Sequence, residues 1–198
     1  MKNQPGLELL EVEAKPAERG FALFGRRARL SGSVYLLLDH STSMADDDKL
    51  GQVKRGALKF FGEAWRRNYA VGAIGFGSKA RCLLAPSRNF ERFGRTVSEL
   101  RADGRTAMAR ALKLGVRRLA RRRGERILVL ITDGLPDNRV ATRRAALEAR
   151  AHNIQLVVVG TQGADKDFLA SLLPRPELLY WAQHQELEAT LQTVGLEL

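Results

Sequence analysis

Five oxygen-bearing side chains, at three places in the chain, have the type and spacing to hold a hard metal ion. Asp39, Ser41 and Ser43 alternate within DHSTSM. Thr106 closes DGRT, and Asp133 lies in TDGLPDN. Together they offer two carboxylates and three hydroxyls, with no sulfur and no obligatory histidine. Hard oxygen donors in this number suit Mg²⁺, which is octahedral at ~2.0–2.1 Å and keeps some of its waters. Mn²⁺ and Ca²⁺ are the alternatives, whereas zinc recruits nitrogen or sulfur. Each piece also has an ordinary reading. Ser41 and Ser43 suit helix capping, Asp133 suits a turn, and Thr106 suits the N-cap of a helix from Ala107.

The elements around these pieces decide whether they meet. SVYLLL, from Ser33, is a continuous apolar run that predicts a strand covered on both faces. Asp46, Asp47 and Asp48 are expected to open a helix over 46–65, with Leu50, Val53, Ala57 and Phe60 or Phe61 on its buried stripe. YAVGAIGFG predicts the next strand. Gly77–Ser78 turns it into ARCLLAP, a hairpin that makes one sheet edge antiparallel. A helix over 89–100 carries Phe90, Phe93, Val97 and Leu100 on one face. After DGRT comes a helix with Met108, Leu112, Val116 and Leu119 inward. RILVLIT is a second apolar strand, followed by a helix over 139–152 and the strand IQLVVVG. A short helix over 168–173, the strand ELLYW and a closing helix over 185–196 complete the chain.

Strands alternating with helices imply an α/β fold. The expected architecture is a doubly wound, three-layer α/β/α Rossmann-like sandwich, mostly parallel with one antiparallel edge strand. Residues 33–198 form the domain, and residues 1–32 are an N-terminal extension packed on it. Ligands of such sheets bind beyond the carboxyl ends of the strands, where strand order reverses. DHSTS leaves the carboxyl end of one apolar strand and TDG that of another. DGRT precedes the helix that crosses to the second. All three loops are thereby placed at one edge.

D-x-S-x-S, then G-x-T, then T-D-G, in this order and each at the end of the appropriate element, resembles the von Willebrand factor type A domain. Here the pieces are Asp39-His40-Ser41-Thr42-Ser43, Gly104-Arg105-Thr106 and Thr132-Asp133-Gly134. In that family these residues form a metal-ion-dependent adhesion site. The resemblance implies that Ser41, Ser43 and Thr106 ligate the ion by hydroxyl, with Asp39 and Asp133 acting directly or through water. It implies a protein partner whose Glu or Asp carboxylate completes the shell, with His40, Arg105 and Leu135 as the surface beside it. Arg105 stands where the family often has glycine or another small residue. The resemblance further implies a bacterial-type, stand-alone, intracellular adaptor beside an ATPase, a chelatase or a stress-response system. In some family members the metal also couples to the C-terminal helix.

Catalysis is not expected. The chain has no GxxxxGK[ST] and no GxGxxG. GFGSKA lies in the hairpin turn, and His40 is adjacent in sequence to Ser41 rather than arrayed with it. The single Cys82 excludes an internal disulfide and a cysteine-built zinc site. No apolar run is long enough to span a bilayer. The first residues, with Pro5 and several glutamates, do not read as a signal peptide, so the expected location is the cytoplasm. The net charge is +11. Its densest run, over 117–126, includes Arg117, Arg118, Arg121, Arg122 and Arg123. These are candidates for polyanion binding and support an alternative reading as a nucleic-acid-associated protein.

Overall fold

The computed structural model describes residues 30–183 and 185–198. Six strands form one sheet in the order β3-β2-β1-β4-β5-β6. They are β1 (Gly32–Asp39), β2 (Tyr69–Phe76), β3 (Ala80–Ser87), β4 (Glu125–Thr132), β5 (Gln155–Thr161) and β6 (Leu179–Ala182). Every pairing is parallel except β2 with β3, the hairpin at one edge. The α/β, mostly parallel sheet with one antiparallel edge is therefore as the sequence implies. β1 is central and pairs with both β2 and β4. Strand order reverses there, so the carboxyl ends of β1 and β4 flank the crevice where such folds bind ligands.

The helices are α1 (Lys49–Arg66), α2 (Phe90–Ser98), α3 (Met108–Leu119), α4 (Arg139–Ala151), α5 (Lys166–Ala170) and α6 (Leu187–Leu196). Alternate residues of β1 point to opposite faces of the sheet. Val34, Leu36 and Leu38 join a core with α1, α2 and α6. Tyr35 and Leu37 join a second core with α3, α4 and α5. Leu36, Leu37 and Leu38 have no exposed surface, and each contributes about 1.5–3 kcal/mol by leaving water. That burial carries the last residue of the strand, Asp39, into the interior with it.

Four expectations are corrected. Asp46 and Asp47 do not open α1, and Asp48 takes its N-cap position without a side-chain cap. All three end a 3-10 segment, Thr42–Asp48, in which Asp46 is extended and Asp47 and Asp48 adopt φ of 52° and 54°. Aspartate tolerates this left-handed region better than most residues, and the kink gives the loop its own path before α1 begins at Lys49. Phe90 is half exposed rather than inward, because it is the first residue of α2 and meets only the rim through an edge contact with Phe61. Thr106 is not an N-cap: Ala107 occupies that position, without a side-chain cap. The short helix expected over 168–173 begins earlier, at Lys166, because Asp165 caps it by accepting from the Phe168 N–H at 2.9 Å. Most of the proposed extension, residues 1–29, lies outside the described residues, and Gly32 already belongs to β1.

Candidate metal site

The three loops meet. Asp39 ends β1 with a wholly buried side chain. Its Oδ1 accepts the Ser41 backbone N–H at 2.8 Å, and its Oδ2 accepts the Thr132 hydroxyl at 2.5 Å. The Ser41 and Ser43 hydroxyl oxygens lie 3.2 Å apart. Ser43 in turn donates to Asp133 Oδ1 at 2.7 Å. A continuous polar path thus joins the end of β1 to the end of β4. Thr106 comes in from the third side. A Cβ added to Gly134 would lie 3.0 Å from Thr106 Oγ1, so glycine is what lets this hydroxyl approach the Asp133 turn. The Asp137 N–H bonds the Thr106 carbonyl at 3.1 Å and holds that turn in place. The Thr106 hydroxyl itself has no hydrogen-bond partner among the described residues.

Backbone bonds fix the loops to one another. The Asp103 N–H donates to the His40 carbonyl at 2.7 Å, and the Thr42 N–H to the Gly104 carbonyl at 3.0 Å. Gly104 has φ of +79°, and a Cβ there would fall 2.2 Å from Ser78 Oγ. Only glycine is at ease in that conformation. Arg105 needs no such backbone; its N–H donates to Ser78 Oγ and its side chain is exposed. The Gly77–Ser78 turn therefore buttresses the DGRT loop, which gives GFGSKA a supporting role. His40 turns toward the hairpin, its ring against Gly75 and Gly77. It makes no side-chain hydrogen bond to Ser41 or Asp39, in keeping with a packing role. Leu135 is half exposed beside the site.

Two residues of the cluster were not singled out as contributors from the sequence. Thr132 ties Asp39 to β4, and its position before Asp133 at the end of an apolar strand was the available signal. Lys49, the first residue of α1, places Nζ 2.7 Å from Asp133 Oδ2; the two side chains are only 15% and 1% exposed. Nothing local in the sequence marks that contact.

The charges do not balance. Asp39 and Asp133 are both buried, yet Lys49 is the one cation paired with either among the described residues. Burial pushes the Asp39 carboxyl up to about 6. Hydrogen bonds from Ser41 and Thr132 pull it down, and the neighbouring charge of Asp133 adds to the rise. A buried carboxylate without a counter-charge is costly, so the cluster favours a further cation. Among the described residues no three His, Cys, Asp or Glu side chains converge on one point. The other oxygen-bearing side chains at the cluster are the hydroxyls of Ser41, Ser43 and Thr106.

The sequence profile of the von Willebrand factor type A domain matches residues 33–192. The chain belongs to that family. It is 32% identical over 110 residues to the uncharacterized protein sll0103 of Synechocystis, covering 54% of this chain and 26% of the relative. It is 31% identical over 144 residues to the uncharacterized protein Rv2850c of Mycobacterium tuberculosis, covering 68% and 23%. The chain thus spans about a quarter of the length of these relatives. Its fold is similar to the vWF domain of the type V pili tip protein Mfa5 of Porphyromonas gingivalis, with TM-score 0.79 at 10% identity over 85% of this chain and 95% of that one. It is also similar to manganese-loaded TRAP of Plasmodium vivax, with TM-score 0.70 at 21% identity over 84% and 73%. A third similar fold is mussel byssus proximal thread matrix protein 1 with a zinc-occupied MIDAS motif, with TM-score 0.72 at 17% identity over 84% and 47%. Among the described residues, no helix is long and apolar enough to cross a membrane.

Proposed function

We propose that this von Willebrand A domain is a divalent-cation-dependent protein-interaction module. Asp39, Ser41, Ser43, Thr106 and Asp133 would hold the ion, Mg²⁺ in the cell. The observation that carries this reading is the convergence of two buried carboxylates and three hydroxyls with a single ammonium to balance them. The Thr106 hydroxyl, without a hydrogen-bond partner among the described residues, supports it. Neutral hydroxyls leave much of a bound ion's charge uncancelled, so its open position takes an anionic oxygen, the side-chain carboxylate of a partner's Glu or Asp. Arg105 and Leu135, both exposed beside the cluster, offer the partner a positive and an apolar contact. His40 faces the hairpin and orients the loop from behind. That similar folds include manganese-loaded TRAP and a thread matrix protein with a zinc-occupied MIDAS motif supports a divalent ion. A cytoplasmic adaptor role beside an ATPase, a chelatase or a stress-response system belongs to the same proposal and rests on the family resemblance.

The test is crystallography with Mn²⁺ and acetate. An anomalous peak within bonding distance of Ser41, Ser43 and Thr106, with an acetate oxygen in its shell, is the expected result. A peak elsewhere, or no peak at high Mn²⁺, contradicts the assignment.

A further inference from the structure

The far end of α3 from the metal cluster carries a second feature. Residues 108–124 hold seven basic side chains and no acidic one. Some cations elsewhere in the fold are paired, Arg55 and Lys59 with Glu188, Arg66 with Glu63, Arg139 with Asp165. Arg117, Arg118, Arg121 and Arg122 have no side-chain partner among the described residues. They surround an open cleft of about 440 Å³, with Ala85 of β3 on one wall and Tyr35 at its floor. Arg123 lies outside it.

The floor is built rather than incidental. Tyr35 belongs to the central strand, and its ring lies against Gly72 of β2; a Cβ at 72 would sit 2.7 Å from its Cε1. The hydroxyl reaches Cys82 Sγ on β3 at 3.6 Å. Burial raises the Tyr35 hydroxyl pKa, while the nearby charges of Arg118 and Arg122 act against that rise. Arg117 also lines a neighbouring cleft with Arg110 and Lys113, where Glu148 is the one opposing charge. The two clefts together run along α3 for roughly 18 Å. Guanidinium groups in a concave wall match the oxygens of phosphate, which they bind in pairs. No exposed aromatic stands in the cleft for a base to stack on, so recognition falls on phosphates.

We propose that the cleft floored by Tyr35 and walled by Arg117, Arg118, Arg121 and Arg122 binds a ligand bearing closely spaced phosphates. The site is independent of the metal cluster, which lies at the other end of α3.

The test is titration of the metal-free protein at low salt with inorganic tripolyphosphate, and separately with an oligothymidylate. The Arg118→Gln/Arg122→Gln double variant is compared with Arg92→Gln/Arg95→Gln, which removes the same charge from α2 on the opposite face of the sheet. Saturable binding that the cleft pair weakens at least roughly tenfold, and the α2 pair less than about twofold, is expected. Cleft-dependent binding of tripolyphosphate assigns a small phosphorylated ligand. Cleft-dependent binding of the oligothymidylate alone assigns a strand's backbone. Saturable binding of neither probe, or equal losses in the two double variants, overturns the site. Thermal melts show that both variants are folded, and Arg118→Lys/Arg122→Lys keeps the charge while losing the paired geometry, so it is expected to fall between.

Discussion

Replacing Lys49 by methionine separates two roles that the cluster combines. In the metal-free protein Lys49 is the cation that balances Asp133, whose side chain is 1% exposed. Breaking a buried pair costs about 3–5 kcal/mol, and the partial exposure of Lys49 places this one near about 2–3 kcal/mol. For a chain of this length that lowers Tm by roughly 5–10 °C. A bound divalent ion would supply the missing charge, so the loss shrinks when metal is present. By the thermodynamic cycle, whatever stability the metal restores appears as tighter metal binding. Restoration of most of the loss tightens Mn²⁺ binding by at least about tenfold. The assay is a thermal melt with chelator and with saturating Mn²⁺, paired with calorimetric titration of both proteins. Unchanged or weaker Mn²⁺ affinity in Lys49→Met, or a Tm loss that Mn²⁺ leaves untouched, would refute the reasoning.

Three further predictions follow from the same geometry. The Asp39 carboxyl is raised in the fold from 3.8 to about 6, so the folded state holds its proton more tightly than the unfolded chain. Its contribution to metal-free stability is greatest below about pH 4, and is lost by an amount of order 3 kcal/mol as pH rises through about 6. Urea unfolding in chelator across this range is expected to show that decline in wild type relative to Asp39→Asn, and parallel profiles would count against it. Thr106→Val loses a hydroxyl with no hydrogen-bond partner among the described residues, so stability is expected to stay within about 0.5 kcal/mol. Mn²⁺ binding weakens by about tenfold or more, and calorimetry showing wild-type affinity would remove Thr106 from the ligand set. Gly104→Ala puts a Cβ against Ser78 Oγ at a left-handed φ; a loss of about 1–3 kcal/mol is expected, together with weaker metal binding. An unchanged melting curve would show that the loop relaxes without strain.

Much of this was legible because burial and periodicity speak plainly in the apolar strands. SVYLLL and RILVLIT could only be interior, and the polar residues that follow them had to lie at one edge of the sheet. The five proposed site residues were selected from that placement together with the family pattern, and the structure brings their loops together. The loop after β1 was harder. Its three aspartates look like a helix start, but Asp47 and Asp48 take left-handed backbone that no propensity scale anticipates. Lys49 was invisible for a related reason: its partner Asp133 is 84 residues away, and only the fold brings the start of α1 to the end of β4. Phe90 showed the limit of periodicity, which gives a helix face but not where the neighbouring layer ends. The arginine run was visible as charge; its cleft depends on Tyr35 crossing Gly72, a packing fact that sequence spacing does not encode.

The central claim is that this cluster binds a divalent ion, and calorimetric titration with Mn²⁺ tests it most directly. Wild type and the Asp39→Ala/Ser41→Ala variant are titrated side by side, with circular dichroism to confirm that both are folded. The account predicts saturable binding of one ion in wild type and none in the folded variant. Equal binding by the two proteins, or none by either at millimolar Mn²⁺ with acetate present, would contradict it.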